Sequence, residues 1–198
     1  MSLRSLAGLL ALSMSAAAGA ATVYDESLDG DLADTGTPLP TVISVGAGSN
    51  QIFGTTGKTL GVIDRDYFTI TIAPGSQLSS ITLLPGTGVI GSLSFLGMQA
   101  GTQVTVDPTS GSAAGLLGWV HYSTADVNTD ILPAIGTGPG ASGFTPPLPA
   151  GSYAFWVQDT GTGNVDYGFD LGITAVPEPA SAATLLAGLA LLALRRRR

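Results

Sequence analysis

The residues with the most chemical potential in this chain are carboxylates. Asp25, Glu26, Asp29, Asp31 and Asp34 crowd a ten-residue stretch, and Asp64 and Asp66 stand just before an apolar pattern that begins at Phe68. Like charges at such density repel, and outside a cell calcium is a natural partner, because it takes about six to eight oxygen ligands. Asp64 and Asp66 share the strand face of Phe68, which should point inward, and carboxylates aimed at a core edge need partners. Asp25-x-Ser27-x-Asp29-Gly30 begins like an EF-hand loop, but the twelfth position is Gly36 where the bidentate glutamate should be, so no EF-hand is expected. The expectation is a calcium site drawn from Asp25, Glu26, Asp29, Asp31, Asp64 and Asp66. Its plain alternative is a solvated acidic face with turn-capping aspartates. Paired acids could also cleave a polysaccharide as hydrolase or lyase. The pairs to suspect are Asp64 with Asp66 and Asp166 with Asp170, each spaced along one strand with no flanked cleft visible in the sequence.

Other motifs fail on context. His121 is the only histidine and could serve acid–base chemistry. It alternates with Leu117 and Trp119 in LLGWVHYS, no GxSxG elbow occurs, and a structural strand histidine is the expectation. Gly86-Thr-Gly-Val-Ile-Gly91 spells GxGxxG, but the next residues read as strand, whereas a dinucleotide needs the N-terminus of a helix there. Gly57-Lys-Thr59 resembles the end of a P-loop whose first glycine would fall at Ile52. With no cysteine, thiol catalysis, Cys-zinc sites and disulfides are excluded. No catalytic residues are expected.

The elements that must position these groups read as β-strands. In residues 165–173 every odd position is apolar and every even one is Asp or Gly. Such strict period two means a sheet with one buried face. Phe68, Ile70 and Ile72 alternate with Tyr67, Thr69 and Thr71, and Tyr153, Phe155 and Val157 with Ala154, Trp156 and Gln158. Shorter strand candidates are 41–45, 79–84, 102–106 and 116–122, separated by Gly/Pro turns, and residues 133–149 read as one long loop. No stretch has sustained helical spacing. This predicts an all-β fold, an antiparallel sandwich or jelly roll forming a single domain over residues 22–175.

The ends have a different composition. Arg4, the apolar run from Leu6 to Leu12 and the small-residue triplet Ala18-Gly19-Ala20 make residues 1–21 a secretory signal peptide, a substrate for the Sec translocase and signal peptidase. Between Thr22 and Val176 stand thirteen carboxylates and two bases, Lys58 and Arg65, so the exported core carries −11. Such a surface repels nucleic acid, and it repels acidic polysaccharide unless a divalent cation bridges the two. At the C-terminus, the uncharged segment from Ala180 to Leu194 would make about 22 Å of helix, short of a roughly 30 Å hydrocarbon core. Arg195, Arg196, Arg197 and Arg198 close the chain and would stay cytoplasmic.

Pro177-Glu178-Pro179, an apolar segment and an arginine cluster, adjacent and in that order, resemble the PEP-CTERM sorting signal of Gram-negative bacteria. The resemblance implies that, after transient insertion in the inner membrane, an exosortase-type membrane protease recognises Pro177, Glu178 and Pro179 and removes the segment in the sorting signal at residues 176–198; a permanent C-terminal anchor is the alternative. Residues 29–36, 64–84 and 148–173 resemble the bacterial pre-peptidase C-terminal (PPC) domain, through the Asp64-x-Asp66-Tyr67-Phe68 strand, the Pro74-Gly75 turn and the Gly151-x-Tyr153 strand. That resemblance implies a jelly-roll-like sandwich without catalysis of its own, with calcium or polymer binding in some members. The expected function is an exported, non-catalytic protein of the surface or extracellular matrix, associated with exopolysaccharide or biofilm. The rivals are the polysaccharide-acting enzyme and a purely structural adhesion protein.

Overall fold

The computed structural model describes residues 19–176. The signal-peptide reading of residues 1–21 and the sorting-signal reading of residues 176–198 lie outside them, apart from their innermost residues. Nine strands follow one another as β1 (Ala21–Asp25), β2 (Thr41–Ile43), β3 (Gly48–Thr59), β4 (Val62–Ile72), β5 (Ser76–Leu83), β6 (Ser94–Ala100), β7 (Gly118–Tyr122), β8 (Gly151–Gln158) and β9 (Gly163–Ala175). Two helices of four residues are interspersed, α1 (Glu26–Asp29) and α2 (Leu132–Ile135). The fold is mostly antiparallel β, in the order β5-β9-β3-β4-β8-β6-β7, with β1 added parallel to β3 and β2 parallel to β4.

The long sheet curls into a half-barrel because β4 changes partner. A two-residue turn joins β3 to β4, with Leu60 at φ 50° and Gly61 at φ 87°. Both central residues with positive φ is the geometry whose twist suits a tight hairpin. The pairing with β3 ends at Gly57↔Asp64, and β4 then pairs with β8 from Arg65↔Gln158 to Ile72↔Gly151. On the other limb β3 pairs with β9 along the whole stretch from Gly48 to Gly57. Phe68, Ile70, Leu96, Met98, Phe155 and Val157 from one limb meet Ile52, Ile81, Leu83, Phe169 and Leu171 from the other in a single core.

The alternation in β9 is borne out at its apolar positions, with Tyr167, Phe169, Leu171 and Ile173 buried and Asp166 exposed, although Gly168 is buried too, under Phe53 and Leu84. In β4 and β8 it is not. Tyr67, Thr69, Ala154 and Trp156 are buried as well, because a second apolar cluster with Val104 and Leu116 covers the outer face of that limb. Residues 102–106 are irregular instead of forming a strand. Their backbone N–H groups bond outside any ladder, Val104 N to Gly36 O and Thr105 N to the Gln99 side chain, while Thr102 O accepts from Thr69 Oγ1. Strand β3, absent from the strands expected of the sequence, is the longest correction. The loop expected over 133–149 is present, with α2 at its start.

Candidate cation site

The acidic segment is folded onto the place where β4 leaves β3. Asp25 caps α1, accepting from Ser27 N at 3.0 Å and Ser27 Oγ at 2.6 Å, and Asp29 accepts from Asp25 N at 2.9 Å. Tyr24 Oη donates to Gly30 O at 2.8 Å, which turns the chain back. Leu32 is then buried, and Tyr67 N donates to Ala33 O at 2.9 Å, so Asp31 is delivered directly above the start of β4. Glu26 is held from the other side. Its Oε1 accepts from Leu32 N at 3.0 Å, and its Oε2 accepts from Thr55 N at 2.6 Å and Thr55 Oγ1 at 3.1 Å.

This brings Glu26, Asp31 and Asp66 together, with one carboxylate oxygen of each within 4.8 Å of the others. Asp31, Asp34 and Asp64 form a second group at the same spacing, so the five carboxylates make one seam through Asp31. Of the six sequence candidates, Asp25 and Asp29 are not brought into it, since both carboxylates serve the N-terminal end of α1. Asp34 joins it instead.

Asp66 decides the character of the site. It is 0 % exposed, and neither of its oxygens has a well-formed hydrogen bond among the described residues; the Tyr167 hydroxyl is the neighbouring donor, and it favours the charged form less than burial opposes it. A buried carboxylate without a donor or counter-charge is costly. Burial first, and the charge of Glu26 second, push its pKa up to about 9. Burial and the charge of Asp31 push Asp64 up to about 6, and burial raises Glu26 despite its three donors. The Tyr167 hydroxyl beside Asp66 is also buried without a partner, and burial with the Asp66 charge raises its pKa. A Cβ at Gly54 would sit 2.5 Å from that hydroxyl, so glycine is what admits Tyr167 here.

The donor set suits a hard divalent cation. Two oxygens on one calcium, each about 2.4 Å from it, are at most about 4.8 Å apart. The site is all oxygen and lacks the histidine or thiolate that zinc or copper would favour. Residues 26–34 are joined to β4 by the Tyr67 N–Ala33 O hydrogen bond and by no ion pair among the described residues, so a bound cation would add a second tie between this segment and the sheet.

The remaining sequence candidates are placed apart. Asp166 is exposed on β9, while Asp170 accepts from Ser49 Oγ at 2.6 Å and Asn50 N at 3.0 Å, a link between β9 and β3. His121 is exposed on β7 and packs edge-on to Phe95 and Trp119. The GxGxxG spelling leads into strand β6, as expected, and Gly57-Lys-Thr59 is the end of strand β3.

Residues 175–198 match the family model described as the PEP-CTERM protein-sorting motif, which includes Pro177, Glu178, Pro179 and the four arginines. No curated protein and no solved structure matches the chain, and no matching family model stands behind the PPC-like reading of the core. The sorting motif marks the chain as a protein handled by an exosortase-type membrane enzyme and exported to the cell envelope or surface.

Proposed function

We propose that this is an exported, non-catalytic protein of the cell surface or extracellular matrix, whose folded form is completed by calcium between Glu26, Asp31 and Asp66. The observation that carries this reading is the buried, unpartnered Asp66 carboxylate facing two others. The curled sheet, with two limbs facing across one core, is read as the jelly-roll-like sandwich of a single domain. Exposed Asp31 and Asp34 leave room for a cation to be shared with an acidic exopolysaccharide, which the −11 core would otherwise repel. The enzyme reading is weaker because Asp66 has no access to a polymer and Asp170 is committed to Ser49 and Asn50. Turnover of a matrix polymer by pure protein, lost on changing Asp166 to Asn, would reverse that ranking.

The test is thermal unfolding in chelator and in millimolar calcium, with sodium chloride of equal ionic strength as the control. Calcium at a hundredfold excess over Kd stabilises by about 2.7 kcal/mol, which for this size raises Tm by roughly 5–11 °C. Asp66→Asn should remove most of that rise. A rise no larger than sodium chloride gives would leave the seam as a solvated acidic face. Sorting is read separately: protein recovered from the medium should lack everything beyond the Pro177–Pro179 region by mass spectrometry, and Glu178→Ala should hold the precursor in the membrane.

A further inference from the structure

The outer face of the β8-β6-β7 limb carries chemistry that the cation site does not use. Gly97 pairs with Trp156 on one side and Trp119 on the other, so both indoles stand in one row across three strands. Phe95 pairs with Gln158 and His121, giving a second row beside the first. Positions two apart on a strand share a face, so all of these side chains stand on the same side of the sheet. A Cβ at Gly97 would lie 2.9 Å from the Phe95 ring, and its absence lets that ring lean between the tryptophans. Ring centroids are 4.6 Å apart for Phe95 and Trp156, 5.9 Å for Phe95 and Trp119, and 5.1 Å for Trp119 and His121.

Trp156 is buried in the second apolar cluster, and Phe95, Trp119 and His121 carry the row from that cluster out to the surface, the first two half-buried and His121 exposed. These border a groove of about 270 Å³ with Asp107 and Gln158 on its rim. The platform is preset, because Trp119 Nε1 donates to Pro139 O at 2.9 Å. Its polar groups are only half used. Asp107 Oδ1 accepts from Thr109 N and Oγ1, which leaves Oδ2 as an acceptor. Gln158 accepts from Arg65 through Oε1, which leaves its amide nitrogen as a donor.

We propose that this groove binds one pyranose ring of a neutral glycan. A sugar ring presents C–H bonds, positive at the hydrogens, to the negative faces of aromatic rings, while its hydroxyls donate and accept around the edge. The size agrees, since a cavity of about 150 Å³ holds benzene. A peptide occupant would match the rings but would bring backbone groups needing more partners than this rim supplies. Asp107 at the rim and the −11 core select against uronate or sulfated units. No residue is shared with the cation site, and the reading of the chain as exported supplies only where such a glycan would be met.

Trp119 and Trp156 are the chain's two tryptophans, so intrinsic tryptophan fluorescence reports this groove and nothing else. Full-length protein in a zwitterionic detergent is titrated with β-1,4-linked gluco-, manno- and xylo-oligosaccharides, with an oligogalacturonate as the charged control. A saturable emission change with at least one neutral series is expected, at least tenfold weaker with the charged one. Trp119→Ala should weaken binding at least tenfold, followed there by calorimetry, and Trp119→Phe should restore part of it. His121→Ala, at an exposed position, guards against a folding defect by reducing affinity with an unchanged Tm. Asp66→Asn should keep sugar binding, which separates failure here from failure of the cation reading. Fluorescence unmoved by all three neutral series overturns the proposal. So does binding that survives Trp119→Ala, or a concentration-dependent dimer that Trp119→Ala abolishes, which would make the groove a self-interface.

Discussion

Asp66 and Asp159 are both withdrawn from water, at 0 % and 2 % exposure, and the chain treats them in opposite ways. Asp159 follows β8, and its Oδ2 accepts from Ile90 N at 2.9 Å and Ser94 Oγ at 2.7 Å, while Oδ1 accepts from Gly161 N at 2.7 Å. Its carboxylate is the knot that ties the β5–β6 connection to the β8–β9 turn. Asp66, on the next strand of the same limb, has only the Tyr167 hydroxyl beside it and no well-formed hydrogen bond among the described residues. Native interiors rarely leave a polar group so, and a carboxylate least of all. The contrast separates two uses of one residue type. Asp159, which fastens loops, is surrounded by N–H and O–H groups; Asp66 faces other carboxylates, the arrangement that the proposed cation site would use.

The largest expected effect falls on the satisfied member of the pair. Asp159→Ala leaves Ile90 N, Gly161 N and Ser94 Oγ without their shared acceptor. Bonds to a charged group are each worth about 1.5–3 kcal/mol, so a loss of about 3 kcal/mol or more is expected. Tm should fall by roughly 6–12 °C, equally in calcium and in chelator. A fall that calcium repairs would mean that Asp159 belongs to the cation site, and the contrast would break.

Asp66 should act through pH. Its folded pKa, about 9, lies above the unfolded value of about 3.9, so the folded state holds the proton more tightly. The stability this contributes is fully present below pH ~4 and is lost as pH rises toward ~9. Asp64, at about 6, adds to the same slope over its lower part. In chelator, denaturant midpoints should therefore decline from pH ~4 to ~9, and Asp66→Asn should flatten most of that decline. Calcium should act the other way, gaining in effect as pH rises, because only ionised carboxylates bind it. A wild-type profile that Asp66→Asn leaves unchanged would show that Asp66 does not govern the seam.

Side-chain size decides which strands a sequence can disclose. The strand β9 and the start of β4 were legible because large apolar residues occupy their inward positions. Strand β3 alternates just as strictly, but its buried positions include Asn50, Gly54 and Thr56, so hydrophobic periodicity is silent. Asn50 is admitted because its amide bonds Gly46 O, Gly48 O and Leu171 O, and Gly54 because Tyr167 fills its space. At the site, the inward face of Asp66 was readable from its spacing to Phe68. The exchange of Asp34 for Asp25 and Asp29 was not, because it depends on how α1 turns the chain back over β4. The aromatic platform was hidden for a related reason. Trp156 looked like the solvent-side neighbour of Phe155, and only the pairing of β8 with β6 and of β6 with β7 sets it in a row with Trp119.

The smallest expected effect is the sharpest control. Asp126 is also an aspartate that accepts from its surroundings, taking Ser123 N at 2.8 Å and Ser123 Oγ at 3.0 Å to cap a single helical turn. It lies beyond β7 and has no part in the acidic seam. Asp126→Asn keeps one acceptor oxygen and removes a charge, so the loss should be about 0.5–1 kcal/mol, or a fall in Tm of roughly 1–4 °C. The calcium-induced rise should be retained in full. This matters because any carboxylate removed from a −11 core lessens its general repulsion, and a non-specific cation effect would shrink a little with each. Equal loss of the calcium shift in Asp126→Asn and Asp66→Asn would mean that calcium merely screens the surface. Full retention in one and loss in the other assigns the shift to the buried carboxylate.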